Sequence, residues 1–205
     1  MNIQEIIKAE ADAILHIPHE KGVYEIAVNT IYDATQKLEG KVITSGMGKA
    51  GEVAHNIATT FCSTGIPAVY LHPGDAQHGD IGVIQKHDVL LLVSNSGETK
   101  ELVDLVYLTY QLHNNPLPMI LITGSTGSQL GCLSDICLKT GSPKEVCPLG
   151  LTPTTSTTVM SVIGDVLTVL LMQRTHLTDK EYYKRHHGGY IGQLIKTQIN
   201  NERKS

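Results

Sequence analysis

Val89-Leu90-Leu91-Leu92-Val93, followed at once by Ser94-Asn95-Ser96-Gly97-Glu98-Thr99, decides how the chain is read. Five consecutive aliphatic residues leave no polar alternate positions, so a strand built from them must be covered on both faces. The polar segment after it opens a helix predicted over Glu98 to His113. Strand, glycine-bearing loop and helix in that order are a unit of a parallel α/β sheet, whose ligands sit beyond the carboxyl ends of the strands. The hydroxyls of Ser94, Ser96 and Thr99, with free backbone N–H groups, would converge at the positive end of that helix. This is a cradle for a phosphate monoester. It contains no lysine, which suits a phosphate that is held rather than transferred. The same residues could simply cap a helix, with Ser94 or Ser96 as N-cap and Glu98 in the first turn. Spacing alone leaves both readings open.

Outward from this unit the pattern repeats. Val42-Ile43-Thr44, Ala68-Val69-Tyr70-Leu71, Met119-Ile120-Leu121-Ile122 and Asp135-Ile136-Cys137-Leu138 are four more strand candidates. A helix is predicted from Lys49 to Phe61, and a final, largely apolar one from about Thr154 to Arg174. Residues 3–38 read as two helices, broken at Pro18 and stopped at Gly40. The second carries Ile26, Ala27, Ile31, Ala34 and Leu38 at helical spacing. The expected organisation is a single domain: N-terminal helices over 1–40, a core with a five-stranded parallel sheet over 41–195, and a tail over 196–205, frayed from Asn200 on.

Composition narrows the function. A chain of 205 residues holds one compact domain comfortably. Aromatics make up 4%, with no Trp and one Phe, so the core is aliphatic and long base-stacking platforms are excluded. A net charge of -4 and a pI near 6.2 give no footprint for nucleic acid. Cys62, Cys132, Cys137 and Cys147 form no CxxC pair and no metal-ligand spacing, and are expected to pack as small apolar residues or to sit near a site by accident. The N-terminus lacks the basic region and apolar run of a signal peptide. The most apolar stretch, Val159 to Met172, is interrupted by Ser161, Gly164, Asp165 and Thr168, and falls short of the ~20 residues of a bilayer span. A soluble, cytoplasmic protein without membrane or nucleic-acid partners is expected.

A second glycine turn, Gly46-Met47-Gly48-Lys49-Ala50-Gly51, fits GxGxxG after a strand. A dinucleotide site would need a carboxylate after the second strand, where Leu71-His72-Pro73 stands instead. A Walker A loop fails because Ala50 follows Lys49. What remains is a tight turn that brings Lys49 to the rim of the sheet, or a glycine turn with a solvated lysine. A second hydroxyl cluster, Thr152-Pro153-Thr154-Thr155-Ser156-Thr157-Thr158, also opens a helix. Two such helix starts aimed at one pocket favour an anion over mere capping.

The Ser94-Asn95-Ser96-Gly97-Glu98 loop resembles the phosphate-binding loop of the sugar isomerase (SIS) domain family. The likeness extends over roughly residues 42–194 to the arabinose-5-phosphate isomerases of Kdo synthesis. It is carried by Gly46-Met47-Gly48-Lys49, Ser63-Thr64-Gly65, His72-Pro73 through His78-Gly79-Asp80, Lys144-Glu145-Val146-Cys147-Pro148-Leu149-Gly150-Leu151-Thr152-Pro153-Thr154, and His186-His187-Gly188-Gly189. The loop itself specifies only a phosphosugar binder; the Glu145 and His186 segments are specific to the isomerase. The resemblance implies a flavodoxin-like three-layer αβα sandwich, no cofactor, and a homotetramer whose sites are completed by neighbouring subunits. It implies interconversion of D-arabinose 5-phosphate and D-ribulose 5-phosphate through an enediol, feeding Kdo and lipopolysaccharide synthesis. Two departures stand out: His187 replaces the family's usual Pro, and the chain is expected to be a short form without the CBS modules of longer members, and so without the usual candidate for nucleotide regulation.

Aldose–ketose exchange moves one proton between C1 and C2 and another between their oxygens, so it needs a base, a polarising group and help with ring opening. On the resemblance, Lys49, Glu101, Glu145 and His186 are the catalytic set. Gly48, Ser94, Asn95, Ser96, Thr99, His78, Thr154 and Ser156 are the substrate and phosphate contacts. Glu145, in an irregular stretch, is expected to be partly desolvated, with its pKa raised toward that of a useful base; Glu101 is the competitor. Lys49 would neutralise substrate oxygens, and His186 would open the ring or shuttle the oxygen proton. His72, His78 and His186 could together trap a divalent ion such as zinc, which would inhibit rather than assist. Two alternatives stay open: an SIS isomerase of a hexulose or heptose phosphate, and a non-catalytic phosphosugar-binding regulator. Regulators of that kind usually carry a DNA-binding helical domain, for which the first 40 residues are too short.

Overall fold

A computed structural model of the chain describes residues 1–20 and 22–202. Five strands, β1 (Val42–Gly46), β2 (Ala68–Tyr70), β3 (Val89–Val93), β4 (Met119–Thr123) and β5 (Ile136–Lys139), form one sheet in the order β2-β1-β3-β4-β5. Every pairing is parallel, with Gly46 opposite Val93 and Val93 opposite Ile122 at the carboxyl edge. Each strand lies within a residue or two of its expected place. β5 starts one residue late because the Asp135 carboxylate accepts the Met119 N–H at 2.8 Å and so ends the loop before it.

The continuous apolar runs divide by alternation. Val89, Leu91 and Val93 face one core with Ile120 and Ile122; Leu90 and Leu92 face the other with Met119 and Leu121. Strands β1, β3 and β4 are buried along their whole length. Burial of each such side chain contributes roughly 1.5–3 kcal/mol. Helices α1 (Ile3–Leu15), α2 (Val23–Tyr32), α3 (Gly48–Ser63) and α7 (Thr155–Thr175) cover the first face. Helices α4 (Pro73–Ala76), α5 (Lys100–His113) and α6 (Gln129–Leu133) cover the second. The result is the three-layer αβα sandwich with N-terminal helices. Helix α7 is long and apolar enough to cross a membrane, and half of its apolar window is buried inside the fold.

Three expectations change. Helix α2 gives way to a π-helical turn at Asp33–Lys37, and of the five apolar residues at helical spacing Ile26 and Leu38 are exposed rather than buried. The Thr154 to Arg174 helix is not the last, because α8 (Asp179–Tyr183) and α9 (Gly189–Glu202) follow it. The expected tail over 196–205 is therefore helical as far as Glu202, and the rest of it, 203–205, lies outside the described residues.

Two contacts fix the frame around the site. Asp88, fully buried, accepts the Lys41 N–H at 2.9 Å, the Lys41 ammonium at 2.7 Å and the Gln85 N–H at 2.7 Å, which ties together the starts of β1 and β3. Helices α3 and α7 touch at Gly164, where an added Cβ would lie 2.5 Å from Ile57 Cγ1. Only glycine allows that approach.

Candidate active site

The strand order reverses direction between β1 and β3, and the loops leaving these two strands diverge there. A crevice at such a point is where an open parallel sheet binds its ligand. Here it is a cavity of about 740 Å³, lined by Lys49 after β1, by Ser94, Asn95, Ser96 and Thr99 after β3, and by Glu145 and Ser156. All seven are among the residues the sequence suggested, and the fold brings them to one cavity. Gly48, between the lining residues Met47 and Lys49, opens α3 with a positive φ.

Neither Ser94 nor Ser96 caps the helix after β3. Helix α5 begins at Lys100, two residues later than expected, with Thr99 at the N-cap and no side-chain capping bond. The hydroxyls are used within the loop: Ser94 Oγ lies 2.9 Å from Thr99 Oγ1 and accepts the Gly97 N–H, while Ser96 Oγ accepts the Glu98 N–H. Among the described residues, the N–H groups of Asn95, Ser96, Thr99, Lys100 and Glu101 have no acceptor within the chain. Five donors at the positive end of a 14-residue helix favour an anion there.

The start of α7 behaves differently. Glu145 Oε2 accepts the Thr154 N–H at 2.8 Å, the Thr154 hydroxyl at 2.9 Å and the Ser156 N–H at 3.3 Å. Burial pushes the Glu145 pKa up, but the hydrogen bonds from Ser156 and Thr154 outweigh it and hold the pKa below the ordinary carboxylate value. The expected rise is therefore wrong in sign. A desolvated carboxylate rises only when unpaired, and Glu145 caps a helix. Thr154 and Ser156, expected as substrate or phosphate contacts, both donate to this carboxylate; Ser156 stays on the cavity wall and Thr154 does not.

Three further expected residues stand apart from the cavity wall. Glu101 lies in the first turn of α5, His78 is exposed in the turn after α4, and His186 lies between α8 and α9. His186 stacks on Tyr182 with ring centroids 3.9 Å apart, and its Nδ1 lies 3.1 Å from Tyr182 O. A carbonyl only accepts, so Nδ1 is the donor in this contact. His72, His78 and His186 do not gather: among the described residues no three His, Cys, Asp or Glu are placed to hold a metal ion.

Other features escaped the sequence. Lys144 also lines the cavity, beside Glu145, so the wall carries two cations and one carboxylate; its adjacency to Glu145 was the only signal. Glu10 on α1 accepts the Thr155 hydroxyl at 2.8 Å across 145 residues of chain, for which there was none. Of the cysteines, Cys137 packs against the second core as expected, whereas Cys62 and Cys132 are exposed. Cys147 Sγ accepts the Leu151 and Thr152 N–H groups at 3.2 and 3.1 Å, folding the loop behind Glu145. Burial raises the Cys147 thiol pKa, and these N–H groups bring it below its ordinary value.

Residues 37–170 match the SIS domain. The chain belongs to the SIS domain family. Within the family, the arabinose 5-phosphate isomerase KdsD of Escherichia coli strain K12 is 41% identical over 162 residues, which are 79% of this chain and 48% of that protein. KdsD of Salmonella typhi is 35% identical over 197 residues, 96% of this chain and 58% of that one. The chain spans about half the length of the curated relatives it matches. Among solved structures, a proposed phosphosugar isomerase involved in capsule formation, from Bacteroides fragilis NCTC 9343, is 58% identical with a TM-score of 0.89, covering 92% of this chain and 97% of that one. An Escherichia coli CFT073 protein in complex with arabinose 5-phosphate is 31% identical with a TM-score of 0.78, covering 91% and 100%.

Proposed function

We propose that this SIS domain interconverts D-arabinose 5-phosphate and D-ribulose 5-phosphate. The observation that carries the reading is that one cavity holds both an anion cradle, at the start of α5, and an ionised carboxylate, Glu145. The similarity to KdsD proteins and to the structure in complex with arabinose 5-phosphate supports the choice of pentose phosphate over a longer sugar.

The phosphate is held by the free N–H groups from Asn95 to Glu101, with the hydroxyls at the cavity wall. Glu145 removes the C2 proton of the open-chain aldose and returns it to C1, and the hydroxyl proton passes from O2 to O1 through the enediol. Its depressed pKa keeps it ionised at neutral pH, ready as a base though a weak one. The Lys49 and Lys144 ammonium groups offset charge on the phosphate and on the enediolate oxygens. His186, which lies off this cavity, acts at the cavity of an adjoining copy in a homotetramer, the Nε2 of the partner subunit's His186 opening the sugar ring. Ile3, Ile7 and Leu15 on α1 and Val169 on α7, all exposed, give such an assembly an apolar surface. In the cell the reaction would feed Kdo and lipopolysaccharide synthesis in the cytoplasm.

The test is turnover of purified protein on a panel of sugar phosphates. D-Arabinose 5-phosphate should be converted to the ketose, and Glu145→Gln should lower kcat by about 10²–10⁴-fold, the range of a lost general base. Preferred turnover of a six- or seven-carbon phosphate would reject the substrate, and an undiminished Glu145→Gln would reject the base.

A further inference from the structure

A carboxylate inside a phosphate-binding loop is an electrostatic contradiction, and Glu98 sits in the middle of this one. It lies before the N-cap of α5, so it is not a first-turn glutamate of that helix. Its Oε1 accepts the Gln129 N–H at 3.0 Å, at the first residue of α6, 31 positions along the chain. The neighbouring groups point to the same partner. Gly97 O accepts the Leu130 N–H at 3.0 Å, and Asn95 O accepts the Gly124 N–H at 3.0 Å. At Gly97, with φ at +68°, an added Cβ would lie 1.9 Å from Ser128 Oγ. The 124–130 segment is thus a backing plate for the loop.

The consequence concerns peptide orientation. A peptide unit cannot aim both its carbonyl and its N–H at one anion. Engaging the Asn95 carbonyl at the back turns the N–H of Ser96, in the same peptide unit, the other way, and that N–H has no acceptor in the chain. We infer that Glu98 is a positioning residue for phosphate: without touching the anion, it clamps the loop to the start of α6 and holds the N–H cradle open. The inference rests on the phosphosugar reading above, and it extends that reading to a residue off the cavity wall.

Two single substitutions cut the clamp from opposite sides. Glu98→Ala removes the acceptor. Gln129→Pro removes the donor at a place where proline fits: Gln129 is the first helical residue, and Ser128 before it is already extended at φ -74°, ψ 170°. Glu98→Gln keeps an acceptor oxygen and loses the charge. Binding of inorganic phosphate and of D-arabinose 5-phosphate is measured by calorimetry, with kcat and KM alongside and a thermal melt for folding. Glu98→Ala and Gln129→Pro should each weaken binding and raise KM about five- to tenfold, the scale of one lost hydrogen bond, with kcat changed less than about threefold. The double variant should be no weaker than either single one, and Glu98→Gln should bind nearly as the unchanged protein does. Unchanged binding in Gln129→Pro, or a Glu98→Gln as weak as Glu98→Ala, overturns the role of Glu98. If the unchanged protein binds neither phosphate nor sugar phosphate, the phosphosugar reading itself fails, and the clamp with it.

Discussion

Glu145 and Thr154 are bound to each other twice: the Glu145 Oε2 atom accepts the Thr154 amide at 2.8 Å and the Thr154 hydroxyl at 2.9 Å. The carboxylate that the proposed reaction uses as its base is also the cap of a 21-residue helix. Its ionisation is therefore set by the start of α7, and a change there should be visible in the chemistry.

Thr154→Val deletes the hydroxyl donor and keeps the backbone one. The Glu145 pKa should move up toward its ordinary value of 4.5, carrying the acidic limb of the pH–rate profile upward with it. Stability should fall by about 1 kcal/mol, the usual net worth of one hydrogen bond. An acidic limb that stays in place would separate Glu145 from the proton-transfer step.

Stability should depend on pH through the same group. The Glu145 pKa is lower in the folded chain than in the unfolded one, so the folded form gains stability above the unfolded value of 4.5 and loses it as pH falls through the depressed folded value. Melting temperatures taken from neutral pH downward should show this loss, and Glu145→Gln should flatten that part of the curve. An identical slope in the variant would place the acid sensitivity elsewhere.

The separation of His186 from the cavity that Glu145 lines makes subunit mixing informative. Glu145→Gln and His186→Ala should each be nearly inactive alone. Unfolded and refolded together in equal amounts, they should regain about a quarter of the unchanged activity if each site draws the two residues from different copies. No recovery would put both groups in one chain.

Cys147 and Cys137 should part company in alkylation. Burial raises the Cys137 thiol, whereas the N–H groups around Cys147 lower its thiol against the effect of burial. With iodoacetamide at about pH 7.5, where the thiolate fraction sets the rate, peptide mapping should find Cys147 modified first. Faster modification of Cys137 would contradict the hydrogen bonding described for the loop behind Glu145.

What the sequence disclosed follows from the range of the forces involved. Val89 to Val93 declare a doubly covered strand because the relevant information, which face is apolar, is local. The Ser94 to Thr99 cradle was legible for the same reason, since strand, loop and helix are contiguous. Capping against anion binding was not decidable, because it turns on where Glu98 and the Asn95 and Gly97 carbonyls find partners, and these lie in the 124–130 segment. The sign of the Glu145 shift was misread because burial is suggested by a loop's composition, whereas the donors that reverse it depend on where the chain turns into α7. Glu10 and Thr155 were beyond reach, each unremarkable until the fold sets one beside the other.

The Gly164–Ile57 contact has a geometric consequence. Ile57 is nine residues from the first residue of α3, and Gly164 is nine residues from the first residue of α7. At 1.5 Å per residue the two helices leave their crossing with equal arms of roughly 13.5 Å. One arm ends beside Lys49 and the other beside the carboxylate of Glu145. The pair works as a compass: the gap between cation and base is set by the angle at a hinge that holds no reactive group. A single methyl there would open or twist the arms, and so change the span at the substrate without altering any residue that touches it.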